Sequence, residues 1–191
     1  MLCSTLVAFV LALVVATSAQ AQDTFTVDAA HSSIIFRIKH LNTSYSYGRF
    51  NDISGSFAID KKSPAKSSLN LEVKTASVDT ANAQRDTHLK GPDFFNVKQF
   101  PTATFKSKSV KLGGAPGTMD VTGDLTINGV TKPVKATIEL TGEGPTPFKD
   151  YRAGLETTLT LKRSDFGIKF MPEGVGDEVK LVVSLEGVKK Q

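Results

Sequence analysis

The 191-residue chain has one cysteine and no tryptophan. A single cysteine excludes a disulfide framework, a cysteine-based zinc ribbon and an iron–sulfur cluster. Tyrosine is scarce as well, with 3 residues against 12 phenylalanines. Phe carries no polar handle, so the aromatic surface is almost wholly apolar. No long hydrophobic run follows residue 16, which argues against a polytopic helical membrane protein. Common catalytic signatures are missing: no G-x-S-x-G elbow, no Walker A loop, no G-x-G-x-x-G, no H-E-x-x-H and no C-x-x-C. Neither charge sign dominates, because 23 Lys+Arg stand against 19 Asp+Glu for a net +4. Lys61-Lys62 and Lys189-Lys190 are the only lysine pairs, and the other lysines are interleaved with acids. That pattern is a solvated mixed surface without the basic stripe that nucleic-acid binding needs.

The one apolar run lies at the N-terminus, Leu6 to Ala16. It is short of the roughly 20 residues that a membrane-spanning helix needs. Ala19-Gln20-Ala21 follows as an A-x-A cleavage pattern. The expected reading is a signal peptide at residues 1–21, cut after Ala21, and one domain at residues 22–191 exported to the bacterial periplasm. A buried N-terminal helix is the alternative. The run departs from the usual signal in having no Lys or Arg before it. Cys3 precedes the run and so is not a lipoprotein cysteine.

What remains has a period of two, the mark of half-buried strands. Met119, Val121, Leu125 and Ile127 alternate with Asp120, Thr122, Asp124 and Thr126. Asn128-Gly129 then sits before a second alternating run, Val134, Ala136, Ile138 and Leu140. Asn-Gly tolerates the two positive φ angles of a type I′ turn, so a two-residue hairpin is predicted, with Leu125 and Ile127 pointing inward. Further strands are expected around Phe25–Val27, Ile34–His40, Phe57–Ile59, Leu69–Val73, Ala103–Phe105, Ala153–Leu161 and Val179–Leu185, eight or nine in all. One segment breaks the period. Asp79 or Thr80 is predicted to cap a short helix over residues 81–90, stopped by Gly91-Pro92, with Phe94-Phe95 just beyond. A single helix and a Phe-rich loop among antiparallel strands suggest a barrel with a lid or plug.

Chemistry-bearing residues are few. His31, His40 and His88 could join Asp28, Asp60 and Asp86 in a metal site, but His31 and His40 have opposite strand parity and would not share a face. Asp28, His31 and Ser32 have the residue types of a hydrolytic triad, without spacing that argues for one. Arg85-Asp86 and Arg163-Ser164-Asp165 each set an Arg beside a carboxylate in apolar surroundings. They read either as ion pairs or turn staples at the rim, or as contacts to a polar head group.

Taken in order, the residues resemble those of the YceI-like family, lipocalin-like secreted bacterial proteins that bind polyisoprenoids. The resemblance rests on Asp28-x-x-His31-Ser32, Phe36, His40, Gly48-x-Phe50, Gly55 and Asp60, then Ser77-Val78-Asp79-Thr80, Arg85-Asp86-x-His88-Leu89, Asp93-Phe94-Phe95, Phe100-Pro101 and Phe105. Later it is carried by the segment Gly123 to Val134, by Arg163-Ser164-Asp165-Phe166-Gly167-Ile168 and by Gly176-Asp177-Glu178-Val179.

The resemblance implies an all-β fold: an eight-stranded antiparallel lipocalin-like barrel with a short helix and Phe-rich loop at one end. It also implies a periplasmic carrier of a long apolar isoprenoid such as a polyprenyl quinone, often dimeric. The family's biological roles range from quinone handling to stress responses. On this reading the chain is not an enzyme and needs no cofactor beyond the lipid ligand. Strand parity then puts Ile34, Phe36, Ile38 and His40 on the cavity wall, with Phe57, Leu155, Leu159, Leu161 and Val183 as further inward positions. Leu89, Phe94 and Phe95 would close one end, and Arg85, His88 and Arg163 would meet the head group. Two alternatives stand beside it: a stress-related interaction module whose barrel is filled by its own side chains, and a His-based metalloprotein or enzyme.

Overall fold

The computed structural model describes residues 22–190; the predicted signal peptide lies outside the described residues. Eleven strand segments form one antiparallel sheet that closes on itself. They are β1 (Asp23–Val27), β2 (Ser33–His40), β3 (Ser44–Phe50), β4 (Ile53–Ile59), β5 (Ser68–Lys74), β6 (Val78–Asp79), β7 (Thr102–Leu112), β8 (Thr118–Ile127), β9 (Val130–Pro145), β10 (Tyr151–Lys162) and β11 (Val175–Lys189). One helix, α1 (Ala83–Leu89), falls between β6 and β7.

Three of the barrel's staves are broken by a kink. A single turn at Ala29–His31 separates β1 from β2, yet β11 pairs with both, through Gly187–Lys189 and then through Val175–Ser184. Asn51-Asp52 separates β3 from β4, and the turn Thr75–Ser77 separates β5 from β6. Joined across these kinks, the segments make eight antiparallel staves in chain order, the last returning to the first. Closure leaves no free sheet edge along the lower barrel. At the upper end β3 meets β6 only at Arg49 and Phe50, and α1 with its following loop covers that end.

The Asn128-Gly129 hairpin forms as predicted: φ is 51° at Asn128 and 74° at Gly129, and Ile127 pairs with Val130. The helix is shorter than residues 81–90. Its cap is Asn82, whose side chain accepts from the Arg85 amide, and not Asp79 or Thr80. Asp79 instead accepts from the amide of Ala81, which stands at φ 58° and ends the strand before the helix can begin. Strand β3 was not legible as a strand. Its inward positions are Ser44, Ser46, Gly48 and Phe50, and only the last is large and apolar, so no apolar alternation marks it.

The barrel is packed solid at one end only. Phe25 and Phe57 stack there with centroids 5.1 Å apart, both essentially fully buried, and Tyr151 lies 6.4 Å from Phe25. Val110, Val121, Ile138, Leu155 and Leu185 complete this base.

The kink between β1 and β2 is held from outside by charge. Arg152 of β10 donates to Asp28 at 2.7 Å, to Asp150 at 3.0 Å and to Glu186. Hydrogen bonds from His31, and then from Arg152, hold the Asp28 carboxyl below its ordinary range. Arg152 followed by Thr146 does the same for Asp150. Depressed carboxylates stabilise the fold above their unfolded pKa near 3.8, and that contribution is lost as pH falls through the folded value. Arg152→Leu should therefore lower the melting temperature at pH 7 and flatten its acid decline. Melting scans of wild type and variant should converge as pH falls through the depressed folded values of the two carboxyls. The Asp28–His31 bond survives in the variant, so the convergence starts from a partial loss.

Candidate functional site: an apolar cavity opening at the helix end

Above the packed base the barrel encloses a cavity of about 370 Å³. That lies within the range of small-molecule sites. A small barrel can be filled by its own side chains; this one is not, so the filled-barrel alternative is corrected. The wall is built as strand alternation dictates. Ile34, Phe36, Ile38 and His40 come from β2, Leu159 and Leu161 from β10, and Leu181 and Val183 from β11. Leu125 and Ile127 of β8 and Val134 and Ala136 of β9 face them. Phe36 has room to lie inward because its cross-strand partner is Gly48, where any Cβ would sit 2.3 Å from the Phe36 ring.

The helix and its loop roof the opening. Leu89, Phe94 and Phe95 all line the cavity, and Phe95 meets Phe50 edge-on at 5.5 Å. Thr75 anchors the far end of this loop: its amide donates to the Pro101 carbonyl at 3.0 Å and its hydroxyl to the Phe100 carbonyl at 2.8 Å. Phe94, His88 and Phe170 pack edge-on with centroids 5.0–5.5 Å apart.

All the residues predicted for the site line the cavity except two. Phe57 and Leu155 point inward, as parity requires, but belong to the solid base beneath it. Parity fixes which side of the sheet a residue faces and says nothing of its height along the barrel. Among residues not predicted, Leu71 and Phe105 follow the same alternation as their neighbours and could have been found by it. Phe166, Ile168 and Phe170 could not. They enter from the turn Arg163–Phe166 and the irregular segment after it.

The ionisable side chains of the cavity are basic apart from Tyr47. Lys39, His40, Arg85, His88 and Arg163 line it, and among the described residues no Asp or Glu does. Neither predicted Arg–carboxylate pair forms. Arg85 donates to the Thr80 hydroxyl at 2.7 Å and to the Thr80 carbonyl at 2.8 Å, while Asp86 accepts from the Thr80 amide and hydroxyl. Arg163 is 7% exposed and donates to the carbonyls of Gly176, Ile168 and Val175 at 2.9, 3.1 and 2.7 Å. Burial lowers its pKa, opposed by the field of Asp177, which is itself bound by Ser164. Arg163 is thus a staple that ties the β10–β11 connection through backbone oxygens, with cationic surface left facing the cavity.

The three histidines are not brought together. His40 and His88 line the cavity, and His88 contacts Asp93 at 2.8 Å. His31 lies outside the cavity, 2.9 Å from Asp28 and 4.0 Å from Glu186. Among the described residues Asp28, His31 and Glu186 are the one group with metal-ligand spacing. The Arg152 guanidinium already donates to both carboxylates, supplying the positive charge that a cation would bring. Nor does a triad form, because the Ser32 hydroxyl is buried against the backbone of Glu186.

A closed eight-stranded antiparallel barrel, solid at one end and hollow and apolar at the other, is a lipocalin-like cavity protein in architecture. The YceI-like domain is matched over residues 25–187, and the chain belongs to that family. A UPF0312 protein of Pseudomonas aeruginosa (strain LESB58) is 47% identical over 194 residues, spanning 100% of both chains. The Burkholderia cenocepacia protein BcnA superposes with a TM-score of 0.76 at 26% identity, covering 84% of this chain and 98% of BcnA. A polyisoprenoid binding domain from Saccharophagus degradans, implicated in plant cell wall breakdown, superposes with a TM-score of 0.66 over 87% of this chain and 98% of that domain. At 18% identity, that last likeness shows the fold alone.

Proposed function

We propose that this protein is a non-enzymatic carrier that holds the apolar tail of an isoprenoid lipid, such as a polyprenyl quinone, inside the barrel. The observation that carries the reading is the cavity itself: an almost wholly apolar wall with no carboxylate on it. Each CH₂-sized group moved from water to such a wall favours binding by about 0.8 kcal/mol before ordering costs. No directional chemistry is needed along the tail. Arg85, His88 and Arg163 of the lining can donate to a head group that accepts hydrogen bonds or carries negative charge. Membership of the YceI-like family, whose resemblance implies an isoprenoid ligand, supports the same ligand class.

Titration with isoprenoids of one head group and increasing length tests this. Affinity should rise with each added unit until the cavity is filled and then level off. Affinity that tracks the head group and ignores length would overturn the apolar-cavity mechanism.

The carrier works, on this reading, in the periplasm as residues 22–191. N-terminal sequencing of protein exported by a Gram-negative host should begin at Gln22. A product that retains Leu6 to Ala16 would mean an anchored protein instead.

A further inference from the structure

Two exposed apolar residues occupy backbone positions that such side chains disfavour. Leu41, in the turn joining β2 to β3, has φ 48° and is 56% exposed. Met171, in the connection from β10 to β11, has φ 49° and is 41% exposed. A Cβ makes the left-handed region unfavourable, so Gly, Asn or Asp normally takes it. The chain does use Asn at the neighbouring Asn42 and at Asn96 and Asn128. An exposed Leu in that conformation is strained and hydrated at once, and the folded barrel in water gains from neither.

The two turns adjoin. The Leu41 amide donates to the Gly174 carbonyl at 2.8 Å, and Val175 pairs with His40. Phe170, 39% exposed, sits between Lys169 and Met171 and packs on His88. Phe170 and Met171 also line the cavity. The apolar rim is therefore continuous with the cavity wall.

Cations flank this rim. Arg37 and Lys39 alternate with the inward residues of β2 and lie 4.3 and 5.9 Å from the ring of Tyr45, itself half-exposed, with Lys39 also bordering the cavity. Lys169 is exposed beside Phe170. Of the acids at this end, Asp86 is turned to Thr80, Asp93 to His88 and Asp177 to Ser164, while Asp165, Glu173 and Glu178 are exposed. Long basic side chains and tyrosine around an apolar tip match the chemistry of a membrane interface. Basic residues near such a surface add attraction to anionic lipid.

We propose that the open end of the barrel is a lipid-docking surface: Leu41, Phe170 and Met171 enter an anionic bilayer, and Arg37, Lys39 and Lys169 meet its phosphates. The cavity mouth then opens into the lipid, and the tail passes between bilayer and barrel without crossing water. The transfer step rests on the carrier reading; the docking itself does not.

Flotation with phosphatidylcholine vesicles, with and without phosphatidylglycerol, tests the surface. The full chain is used throughout, so the N-terminal residues are the same in every sample and only differences count. Leu41→Asn combined with Lys169→Glu changes the rim without touching the cavity wall, and Asn suits the φ of residue 41. It should lower the bound fraction roughly tenfold on anionic vesicles. Phe148→Ser removes an 82% exposed Phe from the β9–β10 turn at the opposite end and should change nothing. Loading with an isoprenoid quinone from detergent should be equal in all three proteins, while transfer of that quinone to vesicles should slow in the rim variant alone. Equal vesicle binding by wild type and rim variant, or an equal loss in Phe148→Ser, would overturn the docking surface. Failure of every protein to load quinone would contradict the carrier reading, and flotation would still decide the docking.

Discussion

Val183→Asp should abolish lipid retention while the barrel remains folded. Val183 lies on β11 between cross-strand neighbours Ile34 and Thr157, and all three line the cavity. Asp is close to Val in volume, so the substitution leaves little void and forces little movement. Its effect is electrostatic. A carboxylate facing a bound hydrocarbon tail has lost its water and gained no partner, which is costly for the charged form. Affinity at pH 7.5 should fall by at least about a hundredfold. Desolvation in the complex raises the acid's pKa, so binding should recover in part as pH is lowered and the acid becomes neutral. Val183→Thr adds a polar group without a charge and should retain most of the binding. Melting curves of the empty proteins separate a folded, non-binding variant from an unfolded one. Unchanged affinity in folded Val183→Asp would place the ligand elsewhere.

Gly129→Val should be the most damaging single change to stability in the upper barrel. Gly129 has φ 74° in the two-residue turn between β8 and β9, a conformation that a β-branched residue resists. The backbone term costs about 1–2 kcal/mol. Space is also lacking, because a Cβ at this position would sit 2.4 Å from the Phe100 ring. Phe100 is held by the loop that roofs the cavity, through the bond from Thr75 to its carbonyl. The clash therefore spreads from the turn to the roof. A total loss of about 3 kcal/mol is expected in chemical denaturation. Gly129→Asn, which keeps a residue tolerant of positive φ but adds the Cβ, should recover the backbone part and not the steric part. A Gly129→Val protein as stable as wild type would mean that the turn does not hold the geometry described.

Much of the fold was legible because a barrel whose inner face is apolar writes its strands as alternation. The Met119–Ile127 and Val134–Leu140 runs and the Asn-Gly between them specify a hairpin through local chemistry alone. Strand β3 was hidden because its inner face is small and polar up to Phe50 at its end, with Gly48 kept open for the Phe36 ring. The helix cap was misplaced for a reason the residue types do not reveal. Asp79 and Asn82 both suit a cap, and the positive φ of Ala81 decides between them. For the site, parity identified the inward residues but not their height, so Phe57 and Leu155 were assigned to a wall that ends above them. Arg85 and Arg163 were drawn correctly to the cavity, yet their partners are Thr80 and backbone carbonyls. Thr80 stands between Arg85 and Asp86 and bonds to both, and the backbone oxygens around Arg163 take up its N–H groups.

The central claim is that the hollow upper barrel holds a lipid tail. Native mass spectrometry of the purified protein, before and after incubation with an isoprenoid quinone, tests it most directly. The account predicts one bound lipid per chain, released by organic extraction and restored by the quinone, and missing in Val183→Asp. A protein that carries no lipid as purified and takes up none when it is offered would contradict the account.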